Sequence, residues 1–166
     1  MGKYLELISE NGWEYVVRKN TRGVVIVCVY NKDNRKYLVI EQFRIPVKKR
    51  LIEFPAGLTE DNETFVDAAI RELKEEIGLV CSPNELIDLG YVYSSAGLTN
   101  EIAYLFGLVI DDNTGFVEPH LDIMELNNNL KQLWVTEDTL IDAESAKVLA
   151  ILLRFKEKYL KHANIN

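Results

Sequence analysis

The sequence predicts an α+β fold in which a mixed β-sheet is flanked by helices and preceded by an N-terminal β-hairpin. Three observations carry that expectation. Residues 22–30, RGVVIVCVY, form a near-continuous β-branched run, as in strands buried on both faces. Two stretches, around 64–78 and 143–161, place apolar residues at helical spacing. Strands and helices are interleaved without strict βαβ alternation, which argues for a mixed rather than a parallel sheet.

The elements follow in order. Residues 3–8 and 13–18 read as strands around Asn11-Gly12, a strong short-range hairpin signal. After the run at 22–30, the polar Asn31–Arg35 is turn-like and residues 36–42 return as a second strand. Thr64 stands where a helix needs its N-terminal cap, with Asp67 three residues on as a weaker relative of the capping box. Val66, Ala69, Ile70, Leu73 and Ile77 then make one apolar stripe, and Gly78 follows where a left-handed cap is wanted. Residues 86–93, 101–110 and 132–136 are expected as strands. The polar stretch 111–129 is long for a structureless loop and points to a functional or mobile element. In the helix expected at 143–161, Val148, Leu149, Leu152, Leu153, Phe155 and Tyr159 give a broad apolar face.

At 166 residues the chain fits one domain, 1–166, and no repeat or Pro/Ser-rich linker divides it. No apolar run approaches the roughly 20 residues of a membrane helix, and the N-terminal stretch lacks the pattern of a signal peptide. Cys28 and Cys81 belong to no metal-type or CxxC spacing, which fits a reducing, cytoplasmic setting. A net charge of −7 argues against non-specific nucleic-acid binding, which depends on Lys and Arg neutralising phosphates. An acidic chain can still take a phosphorylated metabolite when metal ions supply the local positive charge.

The chemistry concentrates in residues 57–79, GLTEDNETFVDAAIRELKEEIGL. Glu72, Glu75 and Glu76 stand at i, i+3 and i+4, so at ~100° per residue they share one arc of the helix. Like charges at that spacing repel, and Glu75 and Glu76 also occupy the last turn, where the helix dipole disfavours anions. Two local rules are broken in one place, as happens at functional sites. A divalent cation would relieve both, and clustered carboxylates suit magnesium, or manganese in its place, better than zinc. The alternative, a solvated acidic face, is the ordinary reading of a lone glutamate run. Here, however, Gly57, Glu63, Arg71, Glu72, Glu75, Glu76 and Gly78 all stand at the spacing of the Nudix box, with Leu73 and Leu79 at its aliphatic positions. Chance agreement is on the order of one in ten million.

The sequence therefore resembles the Nudix hydrolases, which act on nucleoside diphosphates linked to some other group. That resemblance implies an α/β/α sandwich in which the box is a loop-helix-loop. It implies that Glu72, Glu75 and Glu76 bind magnesium and that Arg71 orients a glutamate by an ion pair, with Glu63 in the wider carboxylate network. A metal-activated water as nucleophile needs no Ser, Cys or His, and His120 and His162 belong to no triad-like pattern.

Three further stretches resemble the ADP-ribose and nucleoside-diphosphate-sugar pyrophosphatase branch. From residues 41–57, EQFRIPVKKRLIEFPAG, the resemblance implies that Arg44 contacts phosphates, Glu53 lines the site and the Ala56 carbonyl completes a metal's coordination. From residues 95–101, SAGLTNE, it places Gly97 and Leu98 near the terminal ribose or sugar, although Ala96 stands where that branch has proline. From residues 12–25, it implies that Trp13 stacks on the base across a dimer interface and that Arg18 contacts substrate or interface. Each has a plainer alternative: solvated charge for Arg44, a packing anchor for Trp13, a structural ion pair for Glu53, a turn for Gly97. The general base is open between a carboxylate of 111–129 (Glu118, Asp122 or Glu125, with Glu125 first) and Glu75 of the box.

The expected function is magnesium-dependent hydrolysis of ADP-ribose or a related nucleoside diphosphate sugar by a homodimer joined through residues 1–20. The alternatives are a Nudix hydrolase of nucleoside triphosphates, dinucleoside polyphosphates or capped RNA, and a non-catalytic ligand-sensing Nudix module.

Overall fold

The computed structural model describes residues 2–161, so His162 lies outside it. Strands β1 (Leu5–Glu10) and β2 (Trp13–Arg18) pair antiparallel as a separate hairpin. Asn11 and Gly12 both adopt positive φ, 51° and 82°, as a tight two-residue hairpin turn requires.

The main sheet is built on β3 (Val24–Asn31), every residue of which is buried. β3 runs parallel to β8 (Ile102–Ile110) and antiparallel to both β4 (Lys36–Arg44) and the short β6 (Ala56–Leu58). β5 (Lys49–Glu53) and β9 (Lys131–Val135) pair with β4, and β7 (Ile87–Tyr93) pairs with β8. The sheet is mixed, as expected. Sequence patterning had not resolved β5 and β6, because three-to-five-residue strands in a charge-rich stretch show too little alternation.

Alternate residues of β3 feed two cores. Val25, Val27 and Val29 pack with Ala68, Ala69, Leu73 and Ile77 of helix α1 (Phe65–Ile77). Val24, Ile26, Cys28 and Tyr30 face the other way, against Val148, Ile151, Leu152 and Phe155 of the C-terminal helix, Ala146–Phe155. That helix has ten residues, too few to be stable alone, so its buried face holds it, at roughly 1.5–3 kcal/mol per large side chain. Gly107 of β8 makes room for it: a Cβ there would lie 2.6 Å from the Phe155 ring.

Thr64 caps α1 by accepting from Asp67 N at 3.1 Å, and Gly78 closes it at φ 70°. The buried face of α1 is rotated from the expected stripe. Val66 and Ile70 are half-buried, while Ala68, Glu72 and Glu76 are buried. The second helix begins at Ala146 rather than 143 and runs on through a π-helical turn, Lys156–Leu160. On it Leu149 and Leu153 are exposed, and Ile151 is fully buried instead. The stretch 111–129 is not structureless: it contains α2 (Ile123–Asn127). A further short helix, α3 (Glu137–Ile141), precedes the C-terminal helix, α4, and buries Leu140. No helix among the described residues is long and apolar enough to cross a membrane.

Candidate active site

α1 and β6 meet at the carboxylates. Glu76 is almost fully buried and accepts from Ala56 N at 2.9 Å. Glu72 packs over Gly57, where the missing side chain leaves room for its carboxylate. Arg71 braces the cluster with a forked set of hydrogen bonds. Its Nε donates to Glu63 Oε1 at 2.9 Å, and its Nη1 donates to Glu72 Oε1 at 2.7 Å and to Glu75 Oε2 at 2.9 Å. Its Nη2 donates to Leu58 O at 2.8 Å and to Glu63 Oε2 at 3.1 Å. A lysine, with donors on one atom, cannot span these acceptors.

The chain from 111 to 129 delivers a further carboxylate. Its backbone ties to the C-terminal end of α1, where helix carbonyls lack partners. Val117 N donates to Gly78 O at 2.8 Å and His120 N donates to Glu75 O at 2.9 Å. Leu79 and Phe116 add a bridge. From there the chain turns into α2, and Glu125 comes to rest beside Glu72 and Glu76. One carboxylate oxygen from each of the three lies within 4.8 Å of the others.

Electrostatics follow from that crowding. Burial pushes the Glu72 carboxyl up to about 7, even with Arg71 beside it. Burial, with Glu72 nearby, raises Glu76 well above the usual carboxylate range, and burial raises Glu125 as well. Glu63 is held below its ordinary value by the Arg71 hydrogen bonds. Three carboxylates, two of them buried, supply hard oxygen donors at a spacing suited to a magnesium-type cation. The donor set therefore fits the ion that the sequence implied.

These groups line an open cleft of ≈ 1130 Å³. Arg44 lies on its wall and donates through Nε to Glu53 Oε2 at 2.8 Å; Gln42 Nε2 donates to the same oxygen at 3.3 Å. Glu101 lies on the wall too, with Arg18 on one oxygen and Ser94 Oγ at 2.6 Å on the other; Lys147 Nζ stands 3.5 Å away.

Of the residues singled out from sequence, Arg18, Arg44, Glu53, Ala56, Gly57, Arg71, Glu72, Glu75, Glu76, Asp122 and Glu125 share this cleft. Trp13, Gly97, Leu98 and the exposed base candidate Glu118 do not line it, and Glu63 reaches it only through Arg71. Trp13 is 65% exposed at the hairpin end, and the Leu98 carbonyl accepts from Val16 N at 2.9 Å, docking the hairpin. Glu75 stands apart from the close trio of Glu72, Glu76 and Glu125, its Oε2 engaged by Arg71. Gln42, Glu101, His120 and Lys147 also line the cleft and had not been singled out. Gln42 and Glu101 lie inside the stretches 41–57 and 95–101, where the motif itself was the signal, whereas His120 in a loop and Lys147 at a helix start carry no spacing by which to find them.

Comparison with known proteins accords with this geometry. The family model described as the NUDIX domain matches residues 19–154. A Caenorhabditis elegans protein named nudix hydrolase 2 is 30% identical over 146 residues, covering 84% of this chain and 65% of that protein. The chain thus spans just under two thirds of that relative. The Mus musculus ADP-sugar pyrophosphatase is 34% identical over 175 residues, covering 92% of this chain and 75% of its own. Among solved structures, an ADP compounds hydrolase superposes with a TM-score of 0.66 over 97% of this chain and 94% of that one. At 18% identity, that likeness speaks for the fold.

Proposed function

The chain belongs to the NUDIX domain family, and from that premise we propose that it hydrolyses the pyrophosphate bond of ADP-ribose or a related nucleoside diphosphate sugar, using magnesium. The observation that carries this reading is the convergence of Glu72, Glu76 and Glu125 on one cleft wall that also holds Arg44. The sugar-linked substrate class is further supported by the likeness to the mouse ADP-sugar pyrophosphatase.

Glu72, Glu75, Glu76 and the Ala56 carbonyl are the proposed ligands, with Glu125, which lies beside Glu72 and Glu76, within reach of the same cation and manganese able to replace magnesium. When bound, the cation would lower the pKa of a water and offset charge on the pyrophosphate oxygens. The rest falls to the chain. Arg71 holds Glu72 and Glu75 in place. Arg44, steadied by Glu53, meets the diphosphate. Glu125 or Glu75 takes the proton as water oxygen bonds to phosphorus and the bridging oxygen leaves with the other phosphate. Water is thereby divided between nucleoside monophosphate and sugar phosphate.

Trp13, Arg18, Gly97 and Leu98 are the proposed contacts to base and sugar. Because Trp13, Gly97 and Leu98 are off the cleft of their own chain, their proposed roles require a second copy. Residues 1–20 are the proposed dimer element: the two-stranded hairpin leaves Tyr4, Leu5, Leu7 and Trp13 exposed, and such a hairpin is marginal without a partner. A sedimentation experiment at micromolar concentration tests this, with a monomer counting against it. A cytoplasmic setting is the reading that two free cysteines, Cys28 and Cys81, favour.

The deciding experiment is product analysis with ADP-ribose and magnesium, an EDTA control and a Glu76→Gln variant. AMP plus ribose 5-phosphate, lost with EDTA and in the variant, is the expected result. Turnover of triphosphates alone would move the substrate class, and no turnover across nucleotides would leave a ligand-sensing module.

A further inference from the structure

Glu125 is held by an arrangement separate from the rest of the carboxylate network. Its Oε2 accepts from Asp122 N at 2.6 Å, while Asp122 Oδ1 accepts from Glu125 N at 2.7 Å. This is a reciprocal capping box at the start of α2. α2 has only five residues, and Ile123, Met124 and Leu126 on it are exposed, so little apolar burial holds it in place. The ties to α1 end at His120, and the next tie to the sheet is Asn128 O, accepting from Phe43 N at 3.2 Å. Between those anchors, the capping pair makes the only side-chain hydrogen bonds among the described residues.

Glu125 also faces repulsion. Glu72 and Glu76 lie within 4.8 Å of its carboxylate, and a half-buried glutamate on a short helix can swing into solvent to escape like charge. The capping box opposes that swing by tying one Glu125 oxygen to the backbone at the start of α2.

We propose that Asp122 is a positioning residue whose capping of α2 fixes the Glu125 carboxylate against Glu72 and Glu76. The inference rests on the hydrolase reading above for its catalytic consequence. Its structural consequence is separate: without the Asp122 cap the N-terminus of α2 loses a hydrogen bond, and the Glu125 carboxylate loses what holds it near Glu72 and Glu76.

The test compares Asp122→Ala, Asp122→Asn, Asp122→Ser, Glu125→Gln and the double variant Asp122→Ala/Glu125→Gln in the full chain. Two readouts are taken: Mn²⁺ affinity by calorimetry without substrate, and kcat and KM on ADP-ribose. Asp122→Ala is expected to weaken Mn²⁺ binding and lower kcat by about tenfold each, as loss of a residue supporting a ligand does. KM should move by less than about threefold, since the loss falls on the chemical step. Asn and Ser also accept at an N-cap, so those variants should stay within about threefold of wild type. The double variant should match Glu125→Gln alone, because Asp122 acts through Glu125. Wild-type behaviour of Asp122→Ala, equal damage in Asp122→Asn, or additive loss in the double variant would each overturn the proposal. If the wild-type protein turns over no nucleotide, the hydrolase reading fails, and the Mn²⁺ affinities then decide. A loss in Asp122→Ala that Asp122→Asn restores supports positioning, and equal affinities overturn it.

Discussion

Glu72 occupies the space that any side chain at position 57 would need: a Cβ on Gly57 would lie 1.8 Å from Glu72 Oε1. The glycine is required here for close approach, since it has no positive φ. Gly57→Ala should therefore push Glu72 off its position and lower kcat at least about tenfold, with a fall in melting temperature. Wild-type turnover in this variant would remove Glu72 from the proposed metal site.

Arg71 joins Glu63, Glu72 and Glu75 through one guanidinium. Arg71→Lys keeps the charge but loses the fork, and kcat should fall about ten- to hundredfold. Glu63→Gln should cost less, because Glu63 touches the cluster through Arg71 while Glu72 and Glu75 keep theirs. Steady-state kinetics of both variants checks the order; the reverse order would count against Arg71 as the brace.

Gly78 does two jobs, at φ 70° and with the Val117 carbonyl 1.9 Å from where its Cβ would be. Gly78→Ala should destabilise the fold by at least about 1–2 kcal/mol from the left-handed backbone alone. The displaced 111–129 segment should also lower activity, since it carries Glu125. Urea denaturation and a rate measurement on the same preparation separate the two effects.

The Glu101 carboxyl tests the electrostatics by pH. Burial acts to raise it, but hydrogen bonds from Ser94 and Arg18, with Lys147 nearby, hold it below its ordinary value. A depressed folded-state value means the stabilisation is present above the unfolded pKa, about 4.3, and is lost as pH falls through the folded one. The stability gap between wild type and Glu101→Gln should thus be full at neutral pH and shrink below about pH 4. A gap that is constant from pH 7 to pH 3, by thermal melts, would contradict the pairing.

Sequence spacing by itself determined the parts of this protein that lie close along the chain. Glu72, Glu75, Glu76 and Arg71 share one helix, so a 3.6-residue period places them on one arc. Thr64 and Gly78 marked that helix's ends for similarly local reasons, and Asn11-Gly12 marked the hairpin. The all-buried β3 was legible as an unbroken β-branched run. Tertiary structure alone decided the rest. Leu149 and Leu153 looked like core by periodicity but face outward, because the sheet receives Ile151 and Leu152 instead. Glu125 reaches Glu76 only because the carbonyls at the end of α1 bind the backbone of 117–120. Arg18, Glu101 and Lys147 meet from a hairpin strand, a loop and a helix. Spacing along a chain reports neighbours within one element, whereas contacts between elements depend on which backbone groups each leaves unpaired and which faces it must bury.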